Sequence, residues 1–112
     1  MSRICSMTLM VLVCALLLTA RPAYAQTEAG AKIYAAQKCT ICHSIAGVGN
    51  KKLPLDGVGT KLTADQIREW IVAPVEAAAK AKSTAKPAMK AYATLPKADL
   101  DAPVGYMKSL AK

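Results

Sequence analysis

Five consecutive residues of this 112-residue chain, Cys39-Thr40-Ile41-Cys42-His43, set two thiols three positions apart and an imidazole directly after the second. On one helical turn such cysteines project to the same side. Three kinds of chemistry use thiols at this spacing. A thioredoxin-like redox pair wants a strand before it and a helix after it, whereas here a helical pattern comes first. A zinc site needs four protein ligands, or three and a water. From Gln26 onward the chain offers two cysteines and one histidine, and nothing places carboxylates to complete such a set. A structural disulfide would leave the histidine without a role. C-x-x-C-H is also the attachment signature of c-type haem. That reading uses all three residues: Cys39 and Cys42 form thioethers with the two vinyl groups of one haem c, and His43 ligates its iron.

Haem of this type is attached outside the cytoplasm, and the N-terminus agrees. Residues 1–25 have the build of a secretory signal: Arg3, an apolar run from Leu9 to Leu18, then Ala23-Tyr24-Ala25 as a small-x-small cleavage site. Cys5 and Cys14 leave with it. The mature chain is then 26–112, and its expected location is periplasmic or secreted. Membrane contact is expected only through partner complexes or through an uncleaved signal, whose apolar stretch Ile4–Ala20 is 17 residues long, at the short limit for a span.

Of the 87 residues from Gln26 onward, only 22 carry a large apolar or aromatic side chain; 18 are alanine and none is Phe. That is too little to fill an interior unaided, and domains this small ordinarily need a disulfide, metal or cofactor. The whole chain has 15 Lys and Arg against 7 Asp and Glu; without Arg3 and Arg21 the mature form is +6, and all its cations but Arg68 are lysines. Nucleic-acid binders mix in arginine and aromatic platforms, so no nucleic acid partner is expected. Taken alone, the lysine-rich field reads most simply as a solvated surface that keeps a small protein soluble; the sharper reading is a field that steers association with an acidic partner.

The elements that must position the motif follow from periodicity and punctuation. Thr27–Lys38 reads as a helix with Thr27 as N-cap, closed by the motif. Gly30 weakens it by about 1 kcal/mol relative to alanine, which points to a close packing contact. Ser44–Lys61 holds four glycines and Pro54 without periodicity and reads as a loop. Thr63-Ala64-Asp65-Gln66 is a capping box opening a helix through Ile67, Trp70 and Ile71, ended by Pro74. Residues 76–91, with Lys80, Lys82, Lys86 and Lys90, form a solvated stretch, partly helical. Leu95–Ala111 reads as the last helix, with a stripe of Leu100, Val104, Met107 and Leu110. Pro103 within it requires either a start near Asp99 or Asp101, or a kink. No second histidine exists to ligate the iron. Met107 lies on the apolar stripe, where methionine is core filler, whereas Met89 sits in a non-periodic Lys-Pro-Ala-Met-Lys stretch with no packing reason to be apolar.

Together these features resemble the class I c-type cytochromes. The resemblance is carried by Gly30-x-x-Ile33-Tyr34, the C-x-x-C-H, Pro54 with Gly57-Val58-Gly59, the helix bearing Trp70, Met89, and a closing helix with Tyr106. It implies a small all-α cytochrome c fold, three to five helices wrapped around one covalently bound haem. The first and last helices would cross at Gly30, flanked by Tyr34 and Tyr106. It further implies that the Pro54 carbonyl accepts from His43, that the Trp70 N–H donates to a haem propionate, and that Met89 is the second iron ligand. Lys90 departs from the family, where proline often follows the methionine, and so does Pro103. The implied function is electron transfer by a monomeric carrier, not an enzyme, that meets redox proteins transiently through their acidic docking patches. The alternative is a peroxidase-like haem enzyme or gas binder with a labile sixth ligand. A haem that replaces a missing interior has a direct consequence. The mature chain prepared without haem is expected to be largely unfolded, checked by loss of far-UV circular dichroism relative to the haem-loaded protein.

Overall fold

The computed structural model describes residues 23–111; the expected signal segment lies outside them except for its last three residues. The chain forms helix α1 (Ala23–Ala36), a 3₁₀ turn (Cys39–Ile41), strands β1 (His43–Ile45), β2 (Val48–Gly49) and β3 (Leu53–Pro54), then helices α2 (Val58–Lys61), α3 (Ala64–Val72), α4 (Pro74–Lys80) and α5 (Lys97–Ser109). It is a small, mostly helical domain, in keeping with the expected fold. The addition to the all-α expectation is a small sheet in the order β2-β1-β3.

The crossing of α1 and α5 organises the helices. A Cβ on Gly30 would overlap the Ala102 carbonyl and the Tyr106 Cβ, so glycine lets the two backbones approach. Beside that contact the Tyr34 and Tyr106 rings meet edge to face, centroids 6.0 Å apart and planes at 72°, a favoured geometry for aromatic pairs. Tyr34, Ile67, Val104 and Met107 form the core, with Cys39, Ile45, Leu55, Leu62 and Ile71 packed partly buried around it. Met107 is thus the core filler that its stripe suggests.

Several boundaries differ from expectation, each for a local reason. α1 starts four residues before Thr27, so Thr27 lies inside the helix and does not cap it. The chain leaves the helix through Lys38, at φ 56°, and the motif follows as a tighter 3₁₀ turn. The expected loop 44–61 contains the three strands and α2. Short strands of two or three residues leave no period to read. The Thr63 capping box is present, with Gln66 N–H donating to Thr63 Oγ1 at 3.2 Å and Thr63 N–H to Gln66 Oε1 at 2.9 Å. Pro74 both ends α3 and opens α4 as its first residue, the helical position where a missing N–H costs least. α5 starts before Asp99 and carries Pro103 in its interior, buried against the core. Proline cannot donate to the carbonyl four residues back, so burial of its ring has to offset the lost bond.

Two polar contacts fasten the last helix. Arg68 of α3 and Lys97 both donate to the Asp101 carboxylate. The Lys108 ammonium lies 2.7 Å from the Gly59 carbonyl oxygen and 3.2 Å from that of Leu62, a cation at the end of α2 where carbonyls lack partners. Gly59 itself has no space for a Cβ against the Lys108 carbonyl.

Two outcomes follow. Gly30→Ala is expected to destabilise the haem-loaded protein by about 1–3 kcal/mol in denaturant unfolding, because the obstacle is backbone that cannot turn aside. Asp101 is held below the usual carboxylate range by its hydrogen bonds from Lys97 and Arg68. A carboxyl so depressed on folding contributes stability above its unfolded value of about 3.9 and loses it as pH falls. Asp101→Asn should therefore lower Tm at pH 7, and the gap from the wild type should close as pH drops below about 4.

Candidate haem site

The five-residue motif is presented by the junction of three elements. α1 delivers Cys39 into the shell of the core, half-buried, while Cys42 stands exposed at the end of the 3₁₀ turn. Both thiols are free. Burial pushes the Cys39 thiol pKa up. His43 then begins β1, and its ring Nδ1 lies 3.0 Å from the Leu53 carbonyl oxygen. A carbonyl only accepts, so Nδ1 carries the proton and Nε2 keeps its lone pair. This is the tautomer of a metal-binding imidazole held by a backbone acceptor.

The acceptor corrects one expectation. It is Leu53, not Pro54, because β1 and β3 run parallel with His43 opposite Leu53 and Ser44 opposite Pro54. Pro54 keeps a part in the arrangement as the partner of the buried Ser44.

Asn50 went unnoticed in the sequence. Its backbone N–H reaches the Thr40 and His43 carbonyls at 3.0 Å each, and its Nδ2 donates to the Ile41 carbonyl at 3.0 Å. Its Oδ1 accepts from Lys52 N–H at 3.0 Å. The neighbouring Gly49, at φ 107°, lies so close to the His43 carbonyl that a Cβ would overlap it. An asparagine in a glycine-rich loop signals a turn, and nothing local says which carbonyls it will meet.

Met89 is partly buried in the irregular segment that follows α4. Three residues on, Tyr92 is fixed twice. Its N–H donates to the Ile71 carbonyl at 2.9 Å, and its hydroxyl reaches the Gln37 carbonyl at 3.4 Å, in the turn leading to Cys39. These bonds tie the chain three residues after Met89 to α3 and to the turn that precedes Cys39. Trp70 lines a shallow surface cleft with Leu62, Gln66, Glu69, Ala77, Lys80 and Ala81. Glu69 and Lys80 form an ion pair there at 2.5 Å.

The surroundings fit a large apolar group with a metal at its centre. Among the described residues no large side chain falls below 2 % exposure. Ile41 within the motif and Val48 of the neighbouring β2 are 66 % and 69 % exposed. The Tyr34 hydroxyl is buried without a hydrogen-bond partner, and burial pushes its pKa up to about 12. Side chains alone do not supply a metal centre: among the described residues no group of three His, Cys, Asp or Glu could hold an ion.

A family profile described as cytochrome c oxidase, cbb3-type, subunit III matches residues 25–107, and the chain belongs to that family. No curated protein and no solved structure matches it. The protein is therefore a c-type cytochrome domain of the class I kind, which implies a c-type haem and haem-based electron transfer. Domains of this kind are typically electron carriers and work outside the cytoplasm or anchored to a membrane. No helix among the described residues is long and apolar enough to cross one.

Proposed function

We propose that residues 26–112 are a soluble extracytoplasmic electron carrier with one haem c, bound through thioethers to Cys39 and Cys42, with His43 and Met89 as the iron ligands. The observation that carries this reading is the combination at the motif: two free thiols on one turn, and a His43 ring whose Nδ1 is committed to the Leu53 carbonyl with Nε2 left to coordinate. When bound, the haem supplies one-electron Fe(III)/Fe(II) chemistry. The chain's residues do the rest. The thiols tether, the Leu53 carbonyl orients the imidazole and raises its basicity, and the Met89 thioether favours the ferrous state, raising the reduction potential.

Two protein ligands leave no coordination position for a substrate, which favours electron transfer over peroxidase chemistry or gas binding. The segment carrying Met89 is rich in exposed lysines, Lys80, Lys82, Lys86 and Lys90, and Lys51 and Lys52 are exposed in the loop that packs on the motif. Such a rim suits transient contacts with acidic redox proteins. Interfaces of that kind commonly bury less than about 1,200 Å², and the charge raises the encounter rate more than the affinity. Trp70, on the lysine-bearing cleft, is kept in this reading as a propionate donor, and residues 1–25 as a cleaved export signal.

Redox-cycled spectra of the haem-loaded protein test the ligand assignment. Met89→Ala is expected to abolish the far-red sulfur-to-iron band, whereas Met107→Ala should keep the band and cost about 2–5 kcal/mol of stability. The reverse pattern, or ready uptake of carbon monoxide by the ferrous wild type, contradicts the assignment.

A further inference from the structure

We propose that Asn50 is the positioning residue of the His43 ligand. It holds the backbone that carries the imidazole and, at the same time, the strand whose Leu53 carbonyl accepts the hydrogen bond from its Nδ1. The inference rests on His43 being an iron ligand and deepens that reading.

The geometry is a two-sided clamp. On one side, the Asn50 N–H and Nδ2 bond three carbonyls of the motif, those of Thr40, Ile41 and His43. On the other, Oδ1 takes the Lys52 N–H at 3.0 Å and so turns the chain into β3. The next residue is Leu53, whose carbonyl oxygen lies 3.0 Å from His43 Nδ1. The ring is thus held through its backbone and through its Nδ1, and both supports converge on one side chain. Asn50 is exposed, a setting in which asparagine is ordinarily solvated and replaceable. Here its N–H and both ends of its side-chain amide are engaged by the motif or by the turn into β3. The clamp needs a side-chain donor and a side-chain acceptor together, at the reach of a single methylene. Aspartate lacks the donor and serine lacks the reach to Ile41, though serine can still accept from the N–H two residues on. Gly49 is the other half of the device, since only a residue without Cβ passes the His43 carbonyl at φ 107°.

Groups that hydrogen-bond a metal-bound histidine set its orientation and its basicity. Loosening the Leu53 bond makes the imidazole a weaker electron donor, which disfavours the ferric state and raises the reduction potential. Structural damage elsewhere does not do this.

The experiment uses the haem-loaded protein and reads two properties: the solvent-exchange rate of the His43 Nδ1–H proton by NMR in the ferrous state, and the reduction potential. Asn50→Ala is expected to speed that exchange about tenfold, the scale of losing one hydrogen bond's protection, and to raise the potential. Asn50→Ser should restore part of both, leaving exchange about threefold above the wild type. Thr63→Ala, which removes the side-chain cap of α3, should lower stability and leave both readings unchanged. If Asn50→Ala does not accumulate with haem, Asn50→Ser against the wild type decides the matter. Wild-type exchange and potential in the Asn50 variants, or equal shifts in Thr63→Ala, overturn the proposal. Absence of a ligated His43 proton from the wild-type spectrum overturns the ligand reading itself, and is seen before any substitution is made.

Discussion

The His43 imidazole is steered by a single hydrogen bond, Nδ1–H to the Leu53 carbonyl at 3.0 Å, and much of the local architecture exists to keep those two groups in register. Leu53 and His43 are ten residues apart, joined by a loop of glycines and lysines that has no reason of its own to fold back. The parallel pairing of β1 with β3 closes it, and Leu55 N–H donating to the Ser44 carbonyl at 2.8 Å extends the ladder. Asp56 accepts the Ala46 N–H at 2.8 Å, which stabilises a residue at φ 50°. Beyond the loop, Gly59 N–H donates to the Leu110 carbonyl at 2.9 Å, so the far end of the segment is tied to the last helix. An imidazole held against rotation would, as the proposed iron ligand, keep one orientation in both oxidation states, which suits a carrier.

The second constraint is volume. The helices meet along α1 and α5, where Gly30 and the paired tyrosines leave backbone close to backbone, but the buried apolar set is short: Tyr34, Ile67, Ala77, Ala102, Val104 and Met107. Two of these are alanines. Exposed Ile41 and Val48 at the motif, and a Tyr34 hydroxyl buried without partner, describe an interior built around something other than side chains. A porphyrin tethered at Cys39 and Cys42 would give those groups an apolar neighbour, and it would make folding and cofactor attachment one event.

The parts of the fold that could be read from the sequence are those whose partners are near or whose size is unmistakable. The Thr63–Gln66 capping box needs only three residues of context. Gly30 announced a close packing contact because a glycine inside a helix has a cost that close packing offsets, while the crossing partner came from the family resemblance; Met107 declared itself by its stripe. The motif is legible because its five residues are contiguous. What the sequence hid depends on register and distance. Whether Leu53 or Pro54 faces His43 is decided by a one-residue shift between strands too short to show alternation. Asn50 and Lys108 act through backbone carbonyls, which carry no side-chain identity to recognise. Pro103 sits inside α5 because core burial outweighs a local rule. Met89 lies between these cases, its irregular surroundings plain in the sequence and its anchor at Tyr92 plain only once Ile71 and Gln37 are placed.

The claim on which the rest stands is that one haem, covalently held at Cys39 and Cys42, completes this protein. Intact-mass spectrometry of the protein exported from cells that attach c-type haem tests it most directly. The result predicted is a single species whose mass equals residues 26–112 plus one haem, with the haem retained through acid-acetone extraction. A mass equal to the bare polypeptide, or a haem that leaves with the acetone, would contradict it.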